Sequence, residues 1–207
     1  MKNILCYGDS NVFGYNPIDG SRFDNNSRWT GVLQTILKNE FEIIEEGINN
    51  RTGFVKNPDN FLYSAQRHFP KLISKSQFFD IIILAIGTND LQIQYDINFR
   101  TIEKGLEALI LTAKNKSNDI ILIPPVNIDK SILNGNFKNL FDESSISKSK
   151  KVKKTYKKLA QVFNCKYFDF NKVTTPSQID GLHYDVNAHQ LIAKNLAEFI
   201  RKECING

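Results

Sequence analysis

Five short apolar runs alternate along this chain with segments in which apolar residues recur about every 3.6 positions. The runs cover residues 3–7, 41–45, 79–86, 119–123 and 166–170, and the segments cover residues 28–37, 61–73, 102–113, 152–163 and 188–200. Three of the runs are continuous in Ile, Leu and Val, which is typical of strands covered on both faces. A strand followed by a helix five times over predicts an α/β fold with a five-stranded parallel sheet between two helical layers. We expect a single flavodoxin-like, three-layer α/β/α domain over residues 1–207.

The composition excludes several classes of protein. Hydrophobic residues are 41% and charged residues 24% of the 207 residues, as in average globular proteins, so a disordered or collagen-like chain is excluded. No apolar run approaches the roughly 18 to 20 residues that cross a bilayer, and the N-terminal run is shorter than a signal-peptide core of about 7 to 15 residues. Cys6, Cys165 and Cys204 form neither a C-x-x-C pair nor a zinc-ligand pattern. We expect a cytoplasmic protein with reduced thiols and no membrane partner.

The net charge of +5 comes from one short segment. Seven lysines lie between Lys148 and Lys158, and taking their charges from +5 leaves −2 for the rest of the chain. In the same segment Val152, Tyr156 and Leu159 recur at helical spacing. This pattern favours an amphipathic helix with a solvated lysine-rich face over a site for polyanions, so we expect no nucleic-acid partner.

Turn-forming and polar residues follow four of the predicted strands. These segments are Gly8-Asp9-Ser10-Asn11, Gly47-Ile48-Asn49-Asn50-Arg51, Gly87-Thr88-Asn89-Asp90 and Pro124-Pro125. Ligands of open parallel sheets bind outside the carboxyl ends of the strands, so the chemistry is expected there. The first segment is neither a G-x-G-x-x-G loop nor a P-loop, and the chain contains no G-x-S-x-G elbow. Nucleotide binding and the α/β-hydrolase type of serine site are therefore disfavoured.

Ser10, Asp180 and His183 are the candidates for nucleophilic chemistry. Ser10 follows a buried strand and can face the cleft, although serine in this place is also a common helix cap. Asp180 and His183 lie between the last strand and the last helix. There the histidine can take a hydroxyl proton while the aspartate fixes the imidazole tautomer.

Gly47 and Asn89 are candidate donors to an oxyanion. A tetrahedral acyl-transfer intermediate needs backbone N–H groups or an amide side chain aimed at the developing charge. Gly47 follows the second strand and Asn89 the third, so both belong to the edge that carries Ser10. Taken singly, Gly47 is typical of a turn and Asn89 of a cap.

The other two histidines are expected to be structural. His68 and His189 fall inside predicted helices, with no aspartate at a strand end beside them. Because the chain shows no cluster of His, Cys and carboxylate residues at metal-ligand spacing, no metal site is predicted.

Four segments together resemble the sequence blocks of the SGNH (GDSL-like) hydrolase family. They are Gly8-Asp9-Ser10, Gly47, Gly87-Thr88-Asn89-Asp90 and Asp180-Gly181-Leu182-His183, in the family's order and across nearly the whole chain. Arg28-Trp29-Thr30-Gly31-Val32-Leu33, Glu45-Glu46-Gly47 with Arg51-Thr52, and residues 87–91 further resemble the bacterial arylesterase branch, whose members hydrolyse short acyl esters. Asn11 stands where the commoner residue of the first block is Leu, which leaves substrate preference open.

The resemblance implies a serine esterase that needs no cofactor and acts on a small-molecule ester through an acyl-enzyme. In this interpretation Ser10 is the nucleophile, His183 the base and Asp180 its orienting acid. The oxyanion hole is formed by the backbone N–H groups of Ser10 and Gly47 and the side chain of Asn89. Asp9 supports the turn that carries the nucleophile.

Two other functions stay open. A carbohydrate O-acetylesterase is one, because SGNH folds host that activity and polar side chains could line a pocket for a sugar. The candidate substrate-binding residues are Asn11, Arg51 and Asn127, together with Asn49 and Asn50. A non-catalytic binding protein that uses the same cleft is the other.

A long loop is predicted after the fourth strand. Residues 126–145 have no clear period and contain Phe137 and Phe141. Such a loop on the active edge closes the pocket or meets a neighbouring subunit, and by analogy we expect a homo-oligomer.

Overall fold

A five-stranded parallel sheet forms the centre of the molecule in a computed structural model that describes residues 1–55 and 60–205. The strands are β1 (Lys2–Gly8), β2 (Phe41–Gly47), β3 (Ile81–Ala85), β4 (Asp119–Ile123) and β5 (Lys166–Tyr167), and their order is β2-β1-β3-β4-β5. All neighbouring pairs are parallel. This order is that of flavodoxin-like sheets, so the predicted fold class is confirmed.

Helices cover both faces of this sheet. They are α1 (Ser10–Phe13), α2 (Trp29–Leu37), α3 (Ala65–Lys75), α4 (Phe99–Lys114), α5 (Glu143–Val162) and α6 (Val186–Ile200), which continues into a π-helical turn at Arg201–Ile205. Short 3-10 turns occupy Phe61–Tyr63, Asn89–Leu91, Ile93–Tyr95, Lys130–Leu133 and Phe170–Lys172. Helix α2 packs against α6, and α3, α4 and α5 pack in sequence, so the helices form two groups. Among the described helices none has the length and apolarity needed to span a membrane.

The central strands are buried because both of their faces carry apolar side chains. From Ile4 to Tyr7 in β1 and from Ile81 to Leu84 in β3, every side chain is at most 1% exposed. The polar atoms of large core side chains reach backbone acceptors: the Trp29 indole N–H donates to the carbonyl of Asn11 at 2.9 Å. This bond joins α2 to α1, the helix that begins at Ser10.

The structure corrects the predicted bounds of several elements, most clearly those of β3, β5 and α5. Strand β5 ends at Tyr167 rather than at residue 170, because Asp169 caps a 3-10 turn there. Strand β3 is also shorter than predicted, covering Ile81–Ala85. Helix α5 begins at Glu143, well before the predicted start at residue 152, and takes in the end of the predicted loop.

Candidate active site

The turn between β1 and α1 places Ser10 at the edge of the sheet. Asp9 caps α1, with its Oδ1 accepting from the N–H of Asn11 at 3.1 Å. Its Oδ2 accepts from the N–H of Thr88 at 3.4 Å, which ties the end of β1 to the segment after β3. Burial raises the pKa of Asp9. Gly8 is required before this turn, because a Cβ there would lie 2.1 Å from the carbonyl oxygen of Ala85.

Ser10, His183 and Asp180 form a continuous hydrogen-bonded chain. Ser10 Oγ lies 2.8 Å from His183 Nε2, and His183 Nδ1 lies 2.6 Å from Asp180 Oδ2. The three side chains come from opposite ends of the sequence and are 6%, 2% and 1% exposed, respectively. The predicted proximity of these residues is therefore present in the structure.

The aspartate fixes which nitrogen of the imidazole carries the hydrogen. An ionised carboxylate can only accept, so Nδ1–H donates to Asp180 and Nε2 is left to accept the Ser10 hydroxyl proton. Asp180 Oδ1 accepts from the backbone N–H groups of Leu182 and His183, both at 2.9 Å. Burial alone would raise the pKa of Asp180, but the hydrogen bonds from His183 and the backbone outweigh it and hold the pKa below its usual value.

Two aromatic rings cover the imidazole. The ring of Tyr15 lies 4.2 Å from that of His183 between centroids, tilted by 34°. Phe137 approaches the same imidazole edge-on at 5.5 Å. These contacts restrict the ring orientation of His183 and shield one side of it from water.

Gly47 and Asn89 lie at the ends of the two strands that flank β1. Gly47 pairs with Gly8 in the register of β1 and β2. It packs so closely on α1 that a Cβ would lie 2.3 Å from the backbone nitrogen of Phe13. Asn89 is 5% exposed and donates from Nδ2 to the carbonyl of Arg51 at 3.1 Å.

A cavity of about 170 Å³ opens at Ser10 and His183. We refer to it as the Ser10 cavity, and its lining residues are Ser10, Tyr15, Asn49, Asn50, Asn89, Gln92, Phe137, Leu140, Phe141, Leu182 and His183. The predicted loop after β4 thus closes the cavity of its own chain through Phe137, Leu140 and Phe141. Tyr15, Gln92 and Leu140 were not predicted, because they lie outside the sequence motifs and only the tertiary fold brings them to the strand ends. Leu182 belongs to the predicted segment of Asp180 and His183, but no contact with the cavity was predicted for it.

Three predicted substrate-binding residues lie outside the lining of the Ser10 cavity, as far as the described residues define it. Arg51 is 2% exposed, and its guanidinium donates to the carbonyls of Gly8, Glu46 and Leu62. Arg51 therefore joins the ends of β1 and β2 to the next loop instead of facing the cavity.

Asn11 and Asn127 likewise form hydrogen bonds with other residues of the chain. Asn11 Nδ2 donates to the carbonyl of Leu182 at 3.3 Å, so this departure from the commoner Leu links α1 to the histidine loop. The backbone N–H of Asn127 donates to Asn171 Oδ1 at 2.6 Å, and Asn127 is half-buried. Asn49 and Asn50, in contrast, line the cavity as predicted.

The remaining histidines are held in the core packing. His189 accepts at Nδ1 from the N–H of Trp29 at 3.3 Å, and burial lowers its pKa to about 3. His68 Nδ1 lies 3.2 Å from the Tyr7 hydroxyl. Within the described part of the chain no group of three or more His, Cys, Asp or Glu side chains is arranged to hold a metal ion.

Comparison with known proteins finds a matching family model and several similar solved structures. The model of the family described as "GDSL-like Lipase/Acylhydrolase" matches residues 4–196. The inhibitor-bound aryl esterase of M. smegmatis is similar at 26% identity and a TM-score of 0.89, over 98% of this chain and 99% of that chain. A carbohydrate acetylesterase family member from Sinorhizobium meliloti is similar at 25% identity and a TM-score of 0.87, over 98% of each chain. A G-D-S-L family lipolytic protein from Veillonella parvula, 17% identical over 96% of this chain and 97% of that chain, shares the fold with a TM-score of 0.71. No curated protein matches the chain.

Proposed function

Because the chain belongs to the GDSL-like lipase/acylhydrolase family and is a carboxylic ester hydrolase, we propose that it is a serine esterase for short-chain acyl esters. The observation that carries this proposal is the hydrogen-bonded chain from Ser10 through His183 to Asp180, which opens into the Ser10 cavity. Membership of a hydrolase family disfavours the alternative of a non-catalytic binding protein.

Acylation begins when Ser10 Oγ attacks the ester carbonyl carbon and its proton passes to His183 Nε2. The imidazolium formed is stabilised by Asp180, which stays ionised because its pKa is held low. The tetrahedral intermediate then breaks its bond to the alcohol oxygen, which takes the proton from Nε2. Water attacks the acyl-enzyme in the second half, again giving its proton to His183, and the acid leaves as Ser10 is restored.

The oxyanion is bound by the backbone N–H groups of Ser10 and Gly47 and by the Asn89 amide. Ser10 is the first residue of α1, so its N–H has no acceptor within that helix. Gly47 pairs with Gly8 at the same edge, and Asn89 lines the cavity. Three donors held before the reaction begins stabilise the developing charge without reorganisation.

The size of the cavity supports a small acyl group. A volume of about 170 Å³ is below the roughly 300 to 1,000 Å³ of typical small-molecule pockets, and Phe137, Leu140 and Phe141 close one side. A long acyl chain would have to displace these side chains. We therefore propose an acetyl to butanoyl range for the acyl group.

The test is hydrolysis of p-nitrophenyl esters from acetyl to octanoyl by the wild type and by Ser10→Ala. The wild type should be active, with kcat/KM falling as the acyl chain lengthens, and Ser10→Ala should give only the background of surface lysines. Wild-type rates in Ser10→Ala would refute the assignment of the nucleophile. A rate that rises towards octanoyl would refute the small-acyl proposal while leaving the nucleophile intact.

A carbohydrate O-acetylesterase is the second candidate. The specific observation in its favour is that two amide side chains, Asn49 and Asn50, line the cavity with Ser10 and can bind the hydroxyls of a sugar. The similarity to a carbohydrate acetylesterase family member adds support. A kcat/KM for acetylated xylose or glucose well above that for p-nitrophenyl acetate would favour this candidate, and equal or lower values would favour the aryl ester.

The expected homo-oligomer is also a proposal. Ile93 and Leu140, on segments joined by a backbone hydrogen bond at the mouth of the cavity, are 45% and 37% exposed, which supports a subunit contact there. Sedimentation at micromolar concentration should give a mass above that of one chain, and a strict monomer would remove the proposal.

A further inference from the structure

The Asn89 amide can serve an oxyanion in only one of its two orientations. A rotation of 180° exchanges its donor and acceptor ends, and only the nitrogen can stabilise a negative charge. In the structure Nδ2 donates to the carbonyl of Arg51 at 3.1 Å, while Oδ1 accepts from Gln92 Nε2 at 3.2 Å. Since Nδ2 carries two hydrogens, one is left for a group bound in the Ser10 cavity.

Gln92 is itself held in a fixed orientation. Its Oε1 accepts from Gln94 Nε2 at 2.7 Å, so its own nitrogen is the end presented to Asn89. Its backbone N–H closes the 3-10 turn onto the carbonyl of Asn89 at 3.3 Å, which keeps the two side chains adjacent. Gln92 is 7% exposed whereas Gln94 is exposed. A short chain of amides therefore runs from the surface to Asn89.

We propose that Gln92 is a positioning residue, which holds the Asn89 amide with its nitrogen toward the oxyanion. This inference rests on the proposed function, in which Asn89 stabilises the transition state. Gln92 takes no part in bond making or proton transfer. Without the Gln92 side chain, the buried Asn89 Oδ1 would lose its hydrogen bond from Gln92 Nε2. The bond from Asn89 Nδ2 to the carbonyl of Arg51 would then restrain the amide alone.

A double-mutant cycle on kcat for p-nitrophenyl acetate tests the proposal. Asn89→Ala should lower kcat by about 10² to 10³, the usual cost of one oxyanion donor. Gln92→Leu should lower kcat by about 10-fold with KM within about two-fold of wild type, because the interaction it supports is made in the transition state. In the Asn89→Ala background, Gln92→Leu should have no further effect.

Gln34→Leu is the matched control. Gln34 in α2 is a half-buried glutamine with both amide ends bonded, to the carbonyl of Phe41 and the N–H of Ile43 on the outer edge of β2, and it does not line the Ser10 cavity. This variant should keep the wild-type kcat. If Gln92→Leu fails to fold, Gln92→Glu keeps the size and puts a carboxylate oxygen against Asn89 Oδ1, and it should lower kcat at least as much.

Three results would overturn the proposal. They are a wild-type kcat in the Gln92 variant, independent and multiplying effects in the double variant, or a raised KM at unchanged kcat, which would make Gln92 a substrate contact. Failure of the proposed function looks different, because it would leave Ser10→Ala active whatever the Gln92 variants do.

Discussion

His183 is the residue whose two ring nitrogens connect the candidate nucleophile to a buried acid. The motif around it was predictable, because Ser10 and Asp180 stand in segments that follow strands, and a parallel sheet brings such ends to one edge. The roles of the residues around that motif were not predictable. Tyr15 packs on His183 from a loop. Arg51 has the polarity of a pocket residue, but its guanidinium donates to backbone carbonyls. One sequence does not distinguish these two uses of a polar side chain.

Asp180→Asn tests the orienting role at the residue scale. If the introduced amide nitrogen faces His183, it cannot accept the Nδ1–H hydrogen. If the amide oxygen faces it instead, the negative charge that stabilises the imidazolium is absent. We expect kcat to fall by about 10³- to 10⁴-fold with the fold intact, as in other serine triads. The control is Asp185→Asn, which preserves the N-cap of α6 and should keep the wild-type rate. A loss of less than about 10-fold in Asp180→Asn would contradict the role, because the tautomer is then fixed by something else.

Helix α5 begins earlier than its apolar periodicity predicted, and its first turns show why. Its first turns bury Ser145 and Ser149 with a single apolar residue, Ile146, so the apolar pattern becomes clear only near Val152. These serines are paired: Ser145 Oγ donates to the carbonyl of Leu91, and Ser149 Oγ accepts from the N–H of Ile128. The capping box of Asp142 and Ser145 marks the true start. Hydroxyls that satisfy neighbouring backbone groups can thus form a buried helix face that hydrophobicity does not reveal.

Gly47→Ala tests the contact between β2 and α1. The added methyl group would lie 2.3 Å from the backbone nitrogen of Phe13 and must push α1, with Ser10 at its first position, away from the sheet. We expect a loss of about 1 to 3 kcal/mol in the free energy of unfolding. We also expect kcat to fall about 10- to 100-fold, because the nucleophile is displaced.

Gly135→Ala is the control, since a Cβ there has no neighbour closer than 3.5 Å. The kcat and the free energy of unfolding of that variant should stay near the wild-type values. Unchanged kcat and stability in Gly47→Ala would show that α1 can move without consequence.

Over the whole molecule, buried carboxylates link loops to the sheet edge that carries the site. Asp90, which follows Asn89, accepts from the backbone N–H groups of Gly53, Phe54 and Val55 and so fixes the loop after β2. Burial raises its pKa from 3.8 to about 6, and the three N–H donors offset only part of that effect.

The lysine-rich face of α5 is partly paired, for example Lys158 with Glu103 at 2.7 Å. The cytoplasmic location stays a prediction.

The raised pKa of Asp90 predicts a pH dependence of stability. Between about pH 4 and pH 6 the unfolded chain releases this proton while the folded chain keeps it, so the stability that Asp90 contributes falls as pH rises and is constant above that window. The difference in unfolding free energy between wild type and Asp90→Asn, measured with urea, should fall by about 2 kcal/mol from pH 4 to pH 7, at about 1.4 kcal/mol per pKa unit, because part of the loss already occurs below pH 4. A difference that is flat or rises with pH would contradict the raised pKa.

The central claim is that Ser10, activated by His183, is the nucleophile, and covalent labelling tests it most directly. Wild-type protein is treated with a serine-reactive fluorophosphonate, digested and mapped by mass spectrometry, beside His183→Ala under the same conditions. The account predicts label on the peptide that contains Ser10 in the wild type and none there in His183→Ala. Label on another serine with Ser10 unmodified, in protein that hydrolyses esters, would contradict it.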